Sequence, residues 1–97
     1  MPIVRVIVSG VVQGVGFRDF VMRQAEAHRV EGWVRNRRDD TVEAVFSGTD
    51  DRVRAMIDAC GKGPRGSRVD SVEQLPATDG DLALRHPGET FSWLATV

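Results

Sequence analysis

The chain has 97 residues, 13 basic and 14 acidic, for a formal net charge of −1, so its overall balance favours neither nucleic acid nor an anionic membrane as a partner. At this length a chain buries on the order of 60–70% of its unfolded surface without disulfides or metal, and one domain over residues 1–97 is the expectation. The one cysteine, Cys60, excludes an internal disulfide and a cysteine-based zinc site, and the N-terminal stretch has neither a signal-peptide core nor a membrane span, so a cytoplasmic setting is expected.

From residue 3 to residue 9, Val4, Val6 and Val8 alternate with Ile3, Arg5, Ile7 and Ser9, which predicts a strand inside a sheet. There follows Gly10-Val11-Val12-Gln13-Gly14-Val15-Gly16-Phe17-Arg18. Gly10, Gly14 and Gly16 can take positive φ without a Cβ clash, so successive N–H groups between them can turn inward as an anion nest. A helix start comes next, and its unpaired N–H groups and partial positive charge add to the same attraction. Arg18, on the first turn, can grip two oxygens at once. The glycine order fits neither the Walker P-loop nor the dinucleotide fingerprint. A glycine-rich turn with a solvated arginine is the competing reading. Val11, Val12, Val15 and Phe17 favour the anion site, because side chains anchored in the core would hold the amides in place.

Phe17, Phe20, Val21, Gln24, Ala25 and His28 recur at helical spacing and predict an amphipathic helix packed on a sheet. His28 falls on the apolar side of its last turn, where packing or capping is expected, since no partner stands at metal-ligand spacing. Residues 31–38 read as a second strand and residues 41–47 as a third, joined as a hairpin. Arg35, Arg37 and Arg38 beside Asp39 and Asp40 read as a solvated hairpin end with local charge pairing, and a minor part in steering an anionic substrate is the alternative.

The glycine loop, followed by Gly32-Trp33-Val34-Arg35-Asn36, resembles the two signature segments of the acylphosphatase family. The resemblance extends to Val42-Glu43 and to Gly63-Pro64 with Val69-Asp70-Ser71-Val72, about the first three quarters of the chain. It departs from the family pattern at Asp39-Asp40-Thr41, where Asp-Gly is usual, and at Arg29, where a helix-ending glycine is common. The last strand also lacks the basic residue usual before a closing Pro-Thr.

Further along, Thr49 can cap a second helix with Asp50 and Asp51 in its first turn and Val53, Met56, Ile57 and Cys60 as its buried stripe, which makes Cys60 a packed thiol. Gly61-Lys62-Gly63-Pro64 stops that helix. Residues 69–75 predict a fourth strand whose apolar phase slips between Val69 and Val72, indicating a bulge or a later start. Residues 77–90 read as a long polar loop holding His86, after which Phe91, Trp93, Ala95 and Val97 alternate as a short last strand. The order βαββαβ plus a terminal strand predicts an α+β fold, a ferredoxin-like α/β sandwich with an antiparallel sheet and two helices on one face. The family resemblance implies the same architecture.

Such a fold hosts regulatory, RNA-binding and catalytic proteins, so function rests on the site. The resemblance implies hydrolysis of the carboxyl-phosphate bond of acyl phosphates. In that reading the amides of Gln13, Gly14, Val15, Gly16 and Phe17, with Arg18, bind the phosphoryl oxygens, and Asn36 holds the attacking water. Arg18 and Asn36 are then the catalytic side chains, with no metal, cofactor or phosphoenzyme. The expected partners are a small acyl phosphate and inorganic phosphate as product and competitor, with no nucleic acid and no membrane, and a monomer is expected. A non-catalytic anion-binding or regulatory domain is the alternative. An RNA-recognition module would need clustered aromatics on an open sheet face and a basic surface, which this composition does not supply.

Overall fold

In a computed structural model that describes residues 1–97, the strands are β1 (Ile3–Val11), β2 (Glu31–Asn36), β3 (Val42–Ser47), β4 (Arg68–Pro76) and β5 (Phe91–Trp93), and the helices are α1 (Phe17–His28), α2 (Asp50–Lys62) and α3 (Asp79–Leu82). They form one sheet of order β4-β1-β3-β2-β5. The valine alternation of β1 suits its place between β3 and β4, with antiparallel ladders on both sides. β2 is antiparallel to β3, but β5 runs parallel to β2, so the sheet is mixed rather than wholly antiparallel as expected. The reason is the connection after β4: it crosses from one edge of the sheet to the other and returns in the direction opposite to β4, which is the direction β2 already has.

The helix-covered face carries the larger core. Val6 and Val8 of β1, Val34 of β2, and Val42, Ala44 and Phe46 of β3 pack against Phe17, Val21 and Ala25 of α1 and Val53, Met56 and Cys60 of α2. Full burial of a Val or Phe side chain is worth about 1.5–3 kcal/mol, which makes this layer the main source of stability. α2 follows its expected pattern, with the Thr49 hydroxyl accepting from the Arg52 amide at 3.4 Å. Burial pushes the Cys60 thiol up to about 12, consistent with a packed side chain.

The opposite face is covered too. Trp33, Val45 and Leu94 form a second cluster joined by Ile3, Ala77 and Leu82. The cover comes from the 77–90 stretch, which is not one long loop, because it contains α3. Thr78 and Asp81 cap that helix reciprocally: the Thr78 hydroxyl accepts from the Asp81 amide at 3.2 Å and the Asp81 carboxylate from the Thr78 amide at 2.9 Å. The Trp33 indole N–H then donates to the Asp81 carbonyl at 2.7 Å, tying α3 to the sheet.

Two boundaries near the loop differ from expectation. β1 runs on past Ser9 to Val11, because Gly10 pairs with Val69 while Ser9 pairs with Ser71, leaving Asp70 as the extra residue of a bulge. Gly10 has φ 129°, and a Cβ there would collide with the Arg68 carbonyl, so the backbones meet in a way only glycine permits. β2 stops at Asn36 instead of Arg38, and β3 starts at Val42, since Arg37 and Thr41 close the turn through an amide-to-carbonyl bond of 2.9 Å. Asp40 takes the left-handed conformation there, φ 71°, with Asp39 bracing the turn through its carboxylate, which accepts from the Thr41 amide at 3.1 Å.

α1 ends on another left-handed residue. Arg29 has φ 55° and ψ 49°, and the following Val30 amide reaches back to the Ala25 carbonyl at 3.0 Å, a Schellman-type closure. Glycine carries no Cβ penalty in that conformation, so Arg29→Gly is expected to stabilise the protein by about 0.5–1 kcal/mol. Urea denaturation should show a higher midpoint at an unchanged slope.

Candidate active site

The loop between β1 and α1 is fixed at both ends by apolar burial. Val12 and Phe17 are buried in the helix-side core and Val15 packs against it. Val11 is the exception to the expected anchoring, lying 44% exposed at the end of β1. Between the anchors Gly14 and Gly16 take φ 72° and 77°, the left-handed values that curl the backbone. The amides of Gln13, Gly14, Val15, Gly16 and Phe17 donate to no acceptor in the protein. Free donors at a helix start, where the helix field is positive, are the groups that suit an anion.

The Gln13 side chain holds this loop in register with the hairpin. Its amide nitrogen donates to the Arg37 carbonyl at 2.7 Å and to the Thr41 carbonyl at 2.8 Å, the two carbonyls that frame the β2–β3 turn. Thus Gln13 brings more than its backbone, a contribution that sequence reasoning missed because it depends on where the turn falls.

Asn36 is the last residue of β2, next to that attachment, and is only 9% exposed. Its Oδ1 is buried and receives no hydrogen bond from the protein. A buried acceptor left without a donor costs about 1–3 kcal/mol, so it is poised to accept from something brought to the site.

Arg18, half-buried on the first turn of α1, makes no ion pair. Its guanidinium carbon lies 4.4 Å from the centre of the Trp93 ring. Trp93 pairs with Val34 across β5 and β2, two positions before Asn36, so one strand contact links the two predicted catalytic side chains. Asp19, the acid nearest Arg18 in sequence, is engaged instead by Arg23 at 3.1 Å.

The basic cluster of the hairpin behaves differently from its expected solvated state. Arg35 donates to Glu43 at 2.7 Å, with Arg37 and Arg5 at 3.4 and 3.6 Å from the other carboxylate oxygen, while the Glu43 side chain is only 1% exposed. Arg35 and Arg37 are therefore partners of a buried carboxylate, Arg38 is exposed as expected, and local pairing within the turn is limited to Arg37 with Asp39 at 3.7 Å. His28 has no ion-pair or hydrogen-bond partner, and His86 bonds Glu89 at 2.9 Å in the 77–90 connection. No three His, Cys, Asp or Glu side chains converge as a metal-binding group, and no helix is long and apolar enough to cross a membrane.

A ferredoxin-like α+β sandwich that presents unpaired loop amides, an unpaired arginine and a buried asparagine is a scaffold for handling a tetrahedral anion. Comparison with known proteins agrees. The acylphosphatase family model matches residues 4–82. The acylphosphatase of Bradyrhizobium diazoefficiens is 52% identical over 95 residues, covering 98% of this chain and 96% of that one. That of Nitrobacter winogradskyi is 50% identical over 93 residues, covering 96% and 94%. The crystal structure of acylphosphatase from Bacillus subtilis superposes with a TM-score of 0.80 at 34% identity, covering 97% of this chain and 99% of that chain. The chain belongs to the acylphosphatase family.

The Gln13 bridge generates a stability prediction. Gln13→Ala removes two hydrogen bonds to carbonyls, each worth about 0.5–1.5 kcal/mol net, so a loss of roughly 1–3 kcal/mol is expected in urea denaturation. Hydrogen exchange should speed up in the 13–17 loop and the 37–41 turn together, because one side chain holds both.

Proposed function

We propose that the chain hydrolyses acyl phosphates to a carboxylate and inorganic phosphate, using the amides of residues 13–17, Arg18 and Asn36. The observation that carries this reading is the run of unpartnered amides in a loop fixed at both ends. Amides already aimed at a phosphoryl group need no reorganisation as charge builds on its oxygens, which is the largest single source of rate in many hydrolytic sites. Arg18 would add a planar pair of donors to the same oxygens.

In this mechanism a water accepted by Asn36 Oδ1 attacks phosphorus in line with the acyl oxygen. The new P–O bond forms as the bond between phosphorus and the acyl oxygen breaks. The departing carboxylate takes the electron pair, and the water protons pass to phosphate or solvent. A carboxylate is a good leaving group, so positioning and electrostatics suffice for the chemistry. The same reading makes inorganic phosphate a competitor as well as a product. It also describes a monomeric, one-domain cytoplasmic enzyme without nucleic-acid or membrane partners.

Metal independence is tested by exhaustive treatment with EDTA, after which phosphate release from acetyl phosphate should continue at the untreated rate. Loss of turnover, restored by a divalent ion, overturns the metal-free mechanism. The two side chains are separated by a second experiment. Arg18→Gln is expected both to weaken inhibition by inorganic phosphate and to lower kcat, since Arg18 would touch the phosphoryl group in substrate and transition state alike. Asn36→Ala should leave phosphate inhibition nearly unchanged while lowering kcat roughly 10²–10³-fold, the usual loss when one well-placed polar group leaves an active site. A folded Asn36→Ala protein with wild-type kcat rules out the water-positioning role.

A further inference from the structure

The chain stacks an arginine on an indole twice, and the two pairs differ in one respect. Arg35 lies 4.5 Å from the Trp33 ring centre, and Arg18 lies 4.4 Å from that of Trp93. The Arg35 guanidinium edge is already occupied, since its Nε donates to Glu43 at 2.7 Å. The Arg18 edge meets no carboxylate. An aromatic face attracts the flat side of a guanidinium and leaves all of its in-plane N–H groups free, whereas a carboxylate would neutralise the charge and occupy the donors.

We propose that Trp93 is the positioning residue of the anion site: it holds the Arg18 guanidinium oriented and undischarged for the incoming phosphoryl group. The inference rests on the proposed function in assigning the anion to an acyl phosphate, but its physical content is phosphate affinity. The platform is itself rigid. Ser92 and Leu94, on either side of Trp93, are buried, and the Leu94 amide donates to the Val34 carbonyl at 2.9 Å. The indole is 44% exposed, so replacing it opens no core cavity.

The test is a double-mutant cycle read by isothermal titration calorimetry with inorganic phosphate, alongside kcat and KM for acetyl phosphate. Trp93→Leu is expected to raise the phosphate Kd about 2- to 5-fold, the worth of a cation–π contact at a solvent-exposed site. Trp93→Phe, which keeps a ring, should recover most of the affinity. Trp93→Leu should add nothing further in an Arg18→Gln background, because the indole would act only through that guanidinium. Trp93→Met, ringless and unbranched, provides the same comparison where Trp93→Leu folds poorly. Unchanged phosphate affinity in a folded ringless variant overturns the proposal, and so does an equal loss with and without Arg18. A wild-type protein that binds phosphate yet releases none from acetyl phosphate overturns the hydrolytic function while the cycle still decides the role of Trp93. A wild-type protein that binds no phosphate overturns both.

Discussion

An anion site made of backbone amides faces a conflicting demand: the donors must be left unpaired, yet the loop that carries them must not move. Secondary structure cannot supply the rigidity, because its ladders consume the very groups that are needed. Here the rigidity comes from outside the loop backbone. Val12 and Phe17 are buried at its two ends, and the Gln13 amide grips both carbonyls of the hairpin turn. Side chains therefore do the holding and the main-chain amides are left unpaired. The Gln13 grip also sets where Asn36 lies relative to the amides, because Arg37, whose carbonyl it holds, is the next residue.

The hairpin needs its own support, and Glu43 provides it from the far face of the sheet. A carboxylate with 1% exposure is tolerated only with partners, and Arg5, Arg35 and Arg37 surround it from three separate positions in the chain. Leaving such a group without any partner costs about 3–5 kcal/mol, far more than a surface pair is worth. The cluster bridges β1, β2 and the hairpin turn. In consequence the turn held by Gln13 on one side is held by charge on the other.

Much of this fold was legible in local patterns. The valine alternation of β1, the helical spacing of α1 and the Thr49 cap of α2 each state a single local preference that the packing supports. The bulge was visible as a phase slip between Val69 and Val72, although its partner, Gly10, was read as part of the loop rather than the strand. α3 was missed because four helical residues carry no periodicity. Its signal, Thr78 with Asp81 three positions on, is a capping pattern and not a hydrophobic one. Glu43 stands out in the sequence only as part of the Val42-Glu43 resemblance, with nothing to mark it as buried. Its burial follows from register, which sets Glu43 opposite Arg35 and brings Arg5 close from β1, and register is not written in any single segment. For the candidate site, the loop and Arg18 were visible in the glycine spacing, and Asn36 only through the family resemblance. Trp93 was visible only as one member of an alternating run, since its contact with Arg18 depends on β5 crossing to lie parallel to β2.

The distribution of charge gives these placements a common purpose. With 13 basic and 14 acidic residues the molecule has no net pull on an anion, so attraction has to be local. Arg35, Arg37 and Arg5 are committed to Glu43, and Asp19 at the start of α1 is drawn to Arg23, away from the loop. What remains at the mouth of the loop is the helix-start field, the free amides and an arginine held by a ring instead of an acid. These are features without a protein partner: loop amides with no acceptor, a cation with no acid, a buried Asn36 oxygen with no donor. In the proposed mechanism a tetrahedral anion meets the first two, and a water meets the third. Binding energy can therefore go into completing a pre-set arrangement rather than creating one, and this is the property that lets electrostatic stabilisation act on a transition state.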